Sequence, residues 1–325
     1  MDQTATLTPE RLLRTLEWRV LRRLDGRLQG DYRSLFRGTG LDFTNLREYE
    51  PGDDLRHIEW NVTARMDTPY VREYIEDREI TAWLLLDHSA SMGFGPVDRQ
   101  KDLVLAEVAT TLASVLAGRG NRVGAVLFDR EVEQVIPPRS GRNQVLRIAR
   151  ALLQQRASTP PIPRGGSNGG RFTRKGANGH TAQRFSKGTV TDLSQLLRSA
   201  SGLARRRSVV IVLSDFISAP GWERELGRLA RRHEVVALQV SDPREHELPN
   251  AGMIYVEDAE TGEQIFVDTA DAGFRARLHE AADARQAQLE EATRSAGVEL
   301  YRLSTDEDLV RSLLRISALR RRGRR

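Results

Sequence analysis

Asp87, Ser89 and Ser91 follow directly on the apolar run Ala82-Trp83-Leu84-Leu85-Leu86. One turn that delivers a carboxylate and two hydroxyls supplies three hard oxygen donors, a set that suits Mg²⁺ or Mn²⁺ and poorly suits softer metals. Two other segments could complete the oxygen shell. Ser208-Val209-Val210-Ile211-Val212-Leu213-Ser214-Asp215 is a second apolar run ending in a carboxylate. Gly188-Thr189-Val190-Thr191-Asp192 is a Gly/Thr turn ahead of the helical pattern Leu193, Leu196, Leu197. On residue type alone Thr189 and Thr191 are equivalent. The acids and serines could also serve as caps for the helices that follow them.

Those segments meet only if a fold brings strand ends together. From residue 80 onward strand and helix patterns alternate: strands ending at Asp87, over Val123–Phe128, Ser208–Asp215, Val235–Val240 and Val298–Leu303, separated by helical patterns. Ile254–Glu257 and Gln264–Val267 read as a hairpin. The alternation predicts an α/β fold with a doubly wound, mostly parallel sheet. In such a sheet the carboxyl ends of neighbouring strands converge on one crevice, so three distant segments can share it.

Asp87-x-Ser89-x-Ser91, then a Thr in a Gly-Thr-x-Thr turn, then the strand-end Asp215 resembles the von Willebrand factor type A fold and its metal-ion-dependent adhesion site. The resemblance selects Thr189 over Thr191. It implies that Ser89 and Ser91 are direct ligands, that Thr189 binds directly or through water, and that Asp87 and Asp215 hold the metal directly or through waters. It also implies an open coordination position, filled by a Glu or Asp of a partner protein.

A second text lies upstream. Gly40-Leu41-Asp42-Phe43, Leu46 through Trp60 and Ala64-Arg65, with the Asp-Pro-x-Glu element at Asp242–Glu245, resemble the bacterial domain-of-unknown-function 58 family. That family places a small lobe ahead of a type A domain, and its association with MoxR-type AAA+ ATPases implies such an ATPase as partner. Gly38, Gly40, Pro51, Gly52 and Pro69 punctuate short segments over Phe43–Tyr49, Ile58–Ala64 and Tyr70–Ile75, so the lobe is expected to be β-rich. Asp53, Asp54, Arg56, Glu59 and Arg65 are expected to form ion pairs that fix it against the sheet.

The expected organisation is an N-terminal helix within 1–30, the lobe over 31–79, the type A-like domain over 80–319 with a disordered Gly-rich insertion at about 157–188, and a basic tail at 320–325. Thr8 and Pro9 open the helix, with Leu12, Leu13, Leu16, Val20 and Leu24 on its apolar face. The net charge of +5 is unevenly placed. Residues 156–188 carry seven basic side chains and no acid, and 320–325 carry five arginines, so the remaining chain is acidic. Basic segments could bind nucleic acid. The near absence of aromatics beyond Phe172 and Phe185 argues against it.

The chain has no cysteine, which excludes disulfides, thiol catalysis and cysteine-ligated zinc. No stretch approaches the roughly 18 apolar residues of a membrane span, and the start lacks a signal-peptide pattern, so a cytoplasmic location is expected. A strand-end Asp also begins aspartyl-phosphate phosphotransferases, but the second acid they use two residues on is here Ser89. Phosphate-loop, His-Glu-x-x-His and Gly-x-Ser-x-Gly motifs are absent. The expectation is a non-enzymatic, metal-dependent protein-binding module. The alternatives are a metal-dependent phosphotransferase or hydrolase using Asp87, and nucleic-acid binding.

Overall fold

The computed structural model describes residues 8–16, 43–51, 53–74, 79–95, 99–118, 120–158, 191–257 and 264–323. The first described helix, α1 (Pro9–Leu16), buries Leu12, Leu13 and Leu16 against the body of the chain. Val20 and Leu24, expected on the same face, lie outside the described residues, as does Thr189.

The lobe pairs β1 (Phe43–Glu48) antiparallel with β2 (Tyr70–Tyr74). Between them, the segment expected to be extended is instead the helix α2 (Trp60–Met66). β-branched Val62 and Thr63 suggest a strand, yet a short helix closed by Asp67 in the left-handed region (φ 55°) wins. Asp is among the residues that tolerate that conformation. Of the residues expected to pair against the sheet, Asp54 instead pairs with Arg56 at 3.0 Å and Asp53 with Arg47, which was not in that set, at 2.6 Å, both within the lobe.

The central sheet begins with β3 (Thr81–Asp87), followed by β4 (Arg122–Phe128), β5 (Val132–Arg139), β6 (Val209–Ser214), β7 (Glu234–Ser241) and, after a separate hairpin of β8 (Met253–Glu257) and β9 (Gln264–Asp268), β10 (Glu299–Ser304). Its order is β10-β7-β6-β3-β4-β5, with only the edge strand β5 antiparallel to its neighbour. The expected doubly wound, mostly parallel sheet is therefore what forms.

Parallel strands covered on both faces must be apolar at every position, which is why β3 and β6 read as unbroken hydrophobic runs. Period-two alternation sends Ala82, Leu84, Leu86, Ile211 and Leu213 to one face and Trp83, Leu85, Val210 and Val212 to the other. The first face packs on α1, α3 (Lys101–Ala117), α4 (Arg142–Ser158) and α8 (Leu309–Gly323). The second packs on α5 (Leu193–Leu203), α6 (Trp222–Ala230) and α7 (Ala272–Ser295). Each fully buried Val, Leu or Ile contributes about 1.5–3 kcal/mol. At Gly124 a Cβ would stand 2.9 Å from the Ile136 carbonyl and 3.0 Å from the Trp83 ring, so only glycine lets β5 close on β4.

Arg320, assigned to a basic tail, lies within α8, is 2% exposed and pairs with Glu234 and Glu299.

Candidate functional site

The strand order reverses direction between β3 and β6, and both strands end in acids at that switch point: Asp87 closes β3, and Asp215 follows β6. Asp87 is fully buried, and one carboxylate oxygen accepts the Ser89 backbone N–H at 3.0 Å. That local bond turns the chain into the 3-10 segment Ala90–Gly93 and brings Ser89 Oγ within 3.1 Å of Ser91 Oγ. The other Asp87 oxygen accepts Ser214 Oγ at 2.5 Å, which staples the ends of β3 and β6 together. Ser89 and Ser91 are both buried.

After β6 the chain turns sharply. Phe216 holds φ at +60°, rare for a bulky residue. Its N–H donates to Ser214 Oγ at 2.8 Å, and its ring packs on Trp222 with centroids 5.3 Å apart. Asp215 accepts the Ile217 N–H on one oxygen at 3.0 Å. Its other oxygen accepts Lys101 Nζ at 2.7 Å. The third segment reaches the same loop: the Thr191 carbonyl accepts the Ala219 N–H at 2.8 Å and Ser218 Oγ at 3.1 Å. Asp192 caps α5 through the Ser194 N–H.

Of the five residues expected to bind a metal, the structure gathers Asp87, Ser89, Ser91 and Asp215 at one end of the sheet. The cap reading holds only in part, since Asp87 and Asp215 bind turn N–H groups of their own loops. Among the described residues, no group of three or more His, Cys, Asp or Glu side chains converges to hold a metal. The candidate set has two carboxylates and takes its remaining oxygens from hydroxyls.

Lys101, Glu245 and Ser214 complete the site, and none was expected there. Lys101 opens α3, is 0% exposed, and donates to Glu245 Oε1 at 2.5 Å as well as to Asp215. A signal was present, because a cation in the first turn of a helix opposes the helix dipole and needs a specific counter-charge. Glu245 belongs to the Asp-Pro-x-Glu element, a capping box in which its second oxygen accepts the Asp242 N–H at 3.0 Å. Asp242 in turn accepts Thr305 Oγ1 at 2.6 Å, tying the element to the loop after β10.

The electrostatics follow from this geometry. Burial, then the nearby Asp215 charge, push the Asp87 carboxyl up to about 7 against the pull of its Ser214 and Ser89 hydrogen bonds. Burial pulls the Lys101 pKa down, but the charges of Asp215 and Glu245 more than offset it and hold the pKa above the usual lysine value. Neighbouring His88 is pushed down to about 4 by burial and by the Arg156 charge, and so is neutral near pH 7.

A doubly wound sheet with oxygen donors collected at its switch point defines the class of the molecule. The chain belongs to the family described as protein of unknown function DUF58, whose pattern it matches over residues 45–288. Uncharacterized proteins of Mycobacterium bovis and Mycobacterium tuberculosis are each 34% identical to it over 311 residues, covering 96% of this chain and 89% of theirs. Among solved structures, the conserved hypothetical protein BatB of Bacteroides thetaiotaomicron is similar at 16% identity and a TM-score of 0.43, over 75% of this chain and 99% of that one. The SpRpn10 VWA domain is similar at 12% identity and a TM-score of 0.36, over 73% and 94%. Likenesses this distant carry no inference about what the chain does. No helix among the described residues is long and apolar enough to cross a membrane.

Proposed function

We propose that this chain is a non-enzymatic protein-binding module whose recognition depends on a divalent cation. The supporting observation is the buried oxygen set of Asp87, Ser89 and Ser91 beside Asp215 at the switch point. The donors fit Mg²⁺ or Mn²⁺, being hard oxygens throughout. The raised Asp87 pKa fits as well, since it marks a buried carboxylate short of positive charge.

Asp87, Ser89 and Ser91 would hold the ion, with Thr189 and Asp215 as the family resemblance assigns them. The bound cation would supply a Lewis-acidic position for a carboxylate from a partner protein. This chain's own part is to orient the donors through the Ser89 N–H and Ser214 Oγ bonds to Asp87, and to keep the crevice short of water by burial. A MoxR-type AAA+ ATPase is the partner that the family resemblance favours. The phosphotransferase alternative lacks the second acid two residues on, since position 89 is serine.

The test is co-precipitation of the purified chain with a MoxR-type ATPase from the same organism, in Mg²⁺ and in EDTA, for wild type and Ser89→Ala/Ser91→Ala. Retention only by wild type in Mg²⁺ is expected. Equal retention in all four conditions overturns the reading.

A further inference from the structure

The chain contains fifty basic residues, of which only Lys101, Lys175 and Lys187 are lysines. The other cations of the described ion pairs are arginines, apart from His279. At the one place where a cation is sealed at 0% exposure between two carboxylates of separate loops, the chain uses lysine. An ammonium is a compact point charge, closer to a small metal ion in size and symmetry than a planar guanidinium is. It reaches Asp215, one of the five residues assigned to the metal, and leaves Asp87, Ser89 and Ser91 to themselves.

We infer that Lys101 is a tethered internal cation that competes with the divalent ion for Asp215 and thereby sets how tightly the crevice binds metal. This rests on the metal-binding reading above, with Lys101 as a positioning residue of that site. Asp215 has one oxygen on the Ile217 N–H and the other on Lys101, so to join the metal shell directly it must give up or share the ammonium. Glu245 decides where the ammonium can go, because it is the second carboxylate holding Lys101 and is itself fixed by the Asp242 N–H. The Asp-Pro-x-Glu element is then the anchor of the tether. While Lys101 stays in place, Asp87 and the two serines would be the residues of this part of the crevice free to hold a metal directly, a weaker set that would leave more of the ion's charge for a guest carboxylate.

Removing the ammonium alone leaves the buried Asp215 carboxylate and the half-buried Glu245 without their cation, which destabilises strongly. The informative variant is therefore Lys101→Met/Glu245→Gln, which removes one positive and one negative charge and keeps the net charge of the crevice. Its affinity for Mn²⁺, measured on the full chain by paramagnetic resonance or calorimetry, is expected to exceed wild type by about tenfold or more, since a charge contact to the ion has been released. Adding Asp215→Asn is expected to abolish that gain.

No tightening in the double variant, or a gain that survives Asp215→Asn, overturns the inference. If wild type binds no Mn²⁺ while the double variant does, Lys101 has taken the metal's place: the inference stands and the metal-dependent function fails. If neither binds, both fail. Should the double variant not fold, Lys101→Gln/Glu245→Gln, which keeps the same net charge and supplies amide donors in place of the ammonium, is read in the same way.

Discussion

Strand β6 and the β8–β9 hairpin are written in nearly the same alphabet, Val-Val-Ile-Val-Leu against Met-Ile-Tyr-Val and Gln-Ile-Phe-Val, and they meet opposite fates. Every residue of β6 is buried. In the hairpin Tyr255 is 73% exposed, Met253 58%, Ile265 54% and Phe266 50%, with the Tyr255 and Phe266 rings in tilted contact across the pair at 4.7 Å. What separates them is long-range covering. β6 has a strand on either side and a helix layer on either face, whereas β8 and β9 have their main partners in each other. Apolar composition therefore names a strand without saying what will cover it, and two-stranded ribbons draw little stability from their own contacts.

That contrast can be tested, beginning where the effect is largest. Ile211→Ala in β6 is expected to cost about 2–5 kcal/mol in chemical denaturation, and Ile265→Ala in the hairpin under about 0.5 kcal/mol. Equal costs would break the distinction. Amide hydrogen exchange sharpens it: β6 amides should exchange only through global unfolding, and those of β8 and β9 through local opening, at rates separated by orders of magnitude. At the end of β3, Ser89→Ala/Ser91→Ala is expected to change stability by about 1 kcal/mol, a typical cost for a lost hydroxyl hydrogen bond, while removing Mn²⁺ binding. A large stability loss with metal binding intact would make the pair structural.

The smallest effect concerns His233, buried with neither ring nitrogen hydrogen-bonded and held below its ordinary pKa by burial and by the Arg232 and Arg207 charges. The unfolded chain takes up this proton first, so its contribution to stability declines as pH falls below about 6.5. His233→Leu should flatten that part of the stability–pH curve, followed by thermal melting. An unchanged slope would place the proton elsewhere.

Much of the sheet was legible in the sequence because buried parallel strands must be apolar throughout, and Ala82–Leu86 and Val209–Leu213 have few other uses. The acids after those runs marked the crevice for the same reason. The hairpin was found from its flanking turn residues. Less was legible where short-range and long-range preferences compete. The Gly and Pro punctuation misdirected the reading of α2, whose C-terminal end is set by Asp67 in the left-handed region. Lys101 was overlooked because its partners stand 114 and 144 residues away, separations that no local pattern reports. Asp242–Glu245 was recognised as text without a role, since only the folded chain shows Glu245 Oε1 reaching Lys101.

Arg320 carries a practical lesson for anyone trimming this chain. Its six-residue terminus of five arginines and a glycine invites removal as an unstructured appendage. Yet cutting after Leu319 would strand Glu234 at the start of β7 and Glu299 at the start of β10, on adjacent strands, without the guanidinium that bridges them. A shortened protein that precipitates or melts early would then report a broken clasp between two strands, and loss of partner binding in it would say nothing about the basic residues as a recognition element.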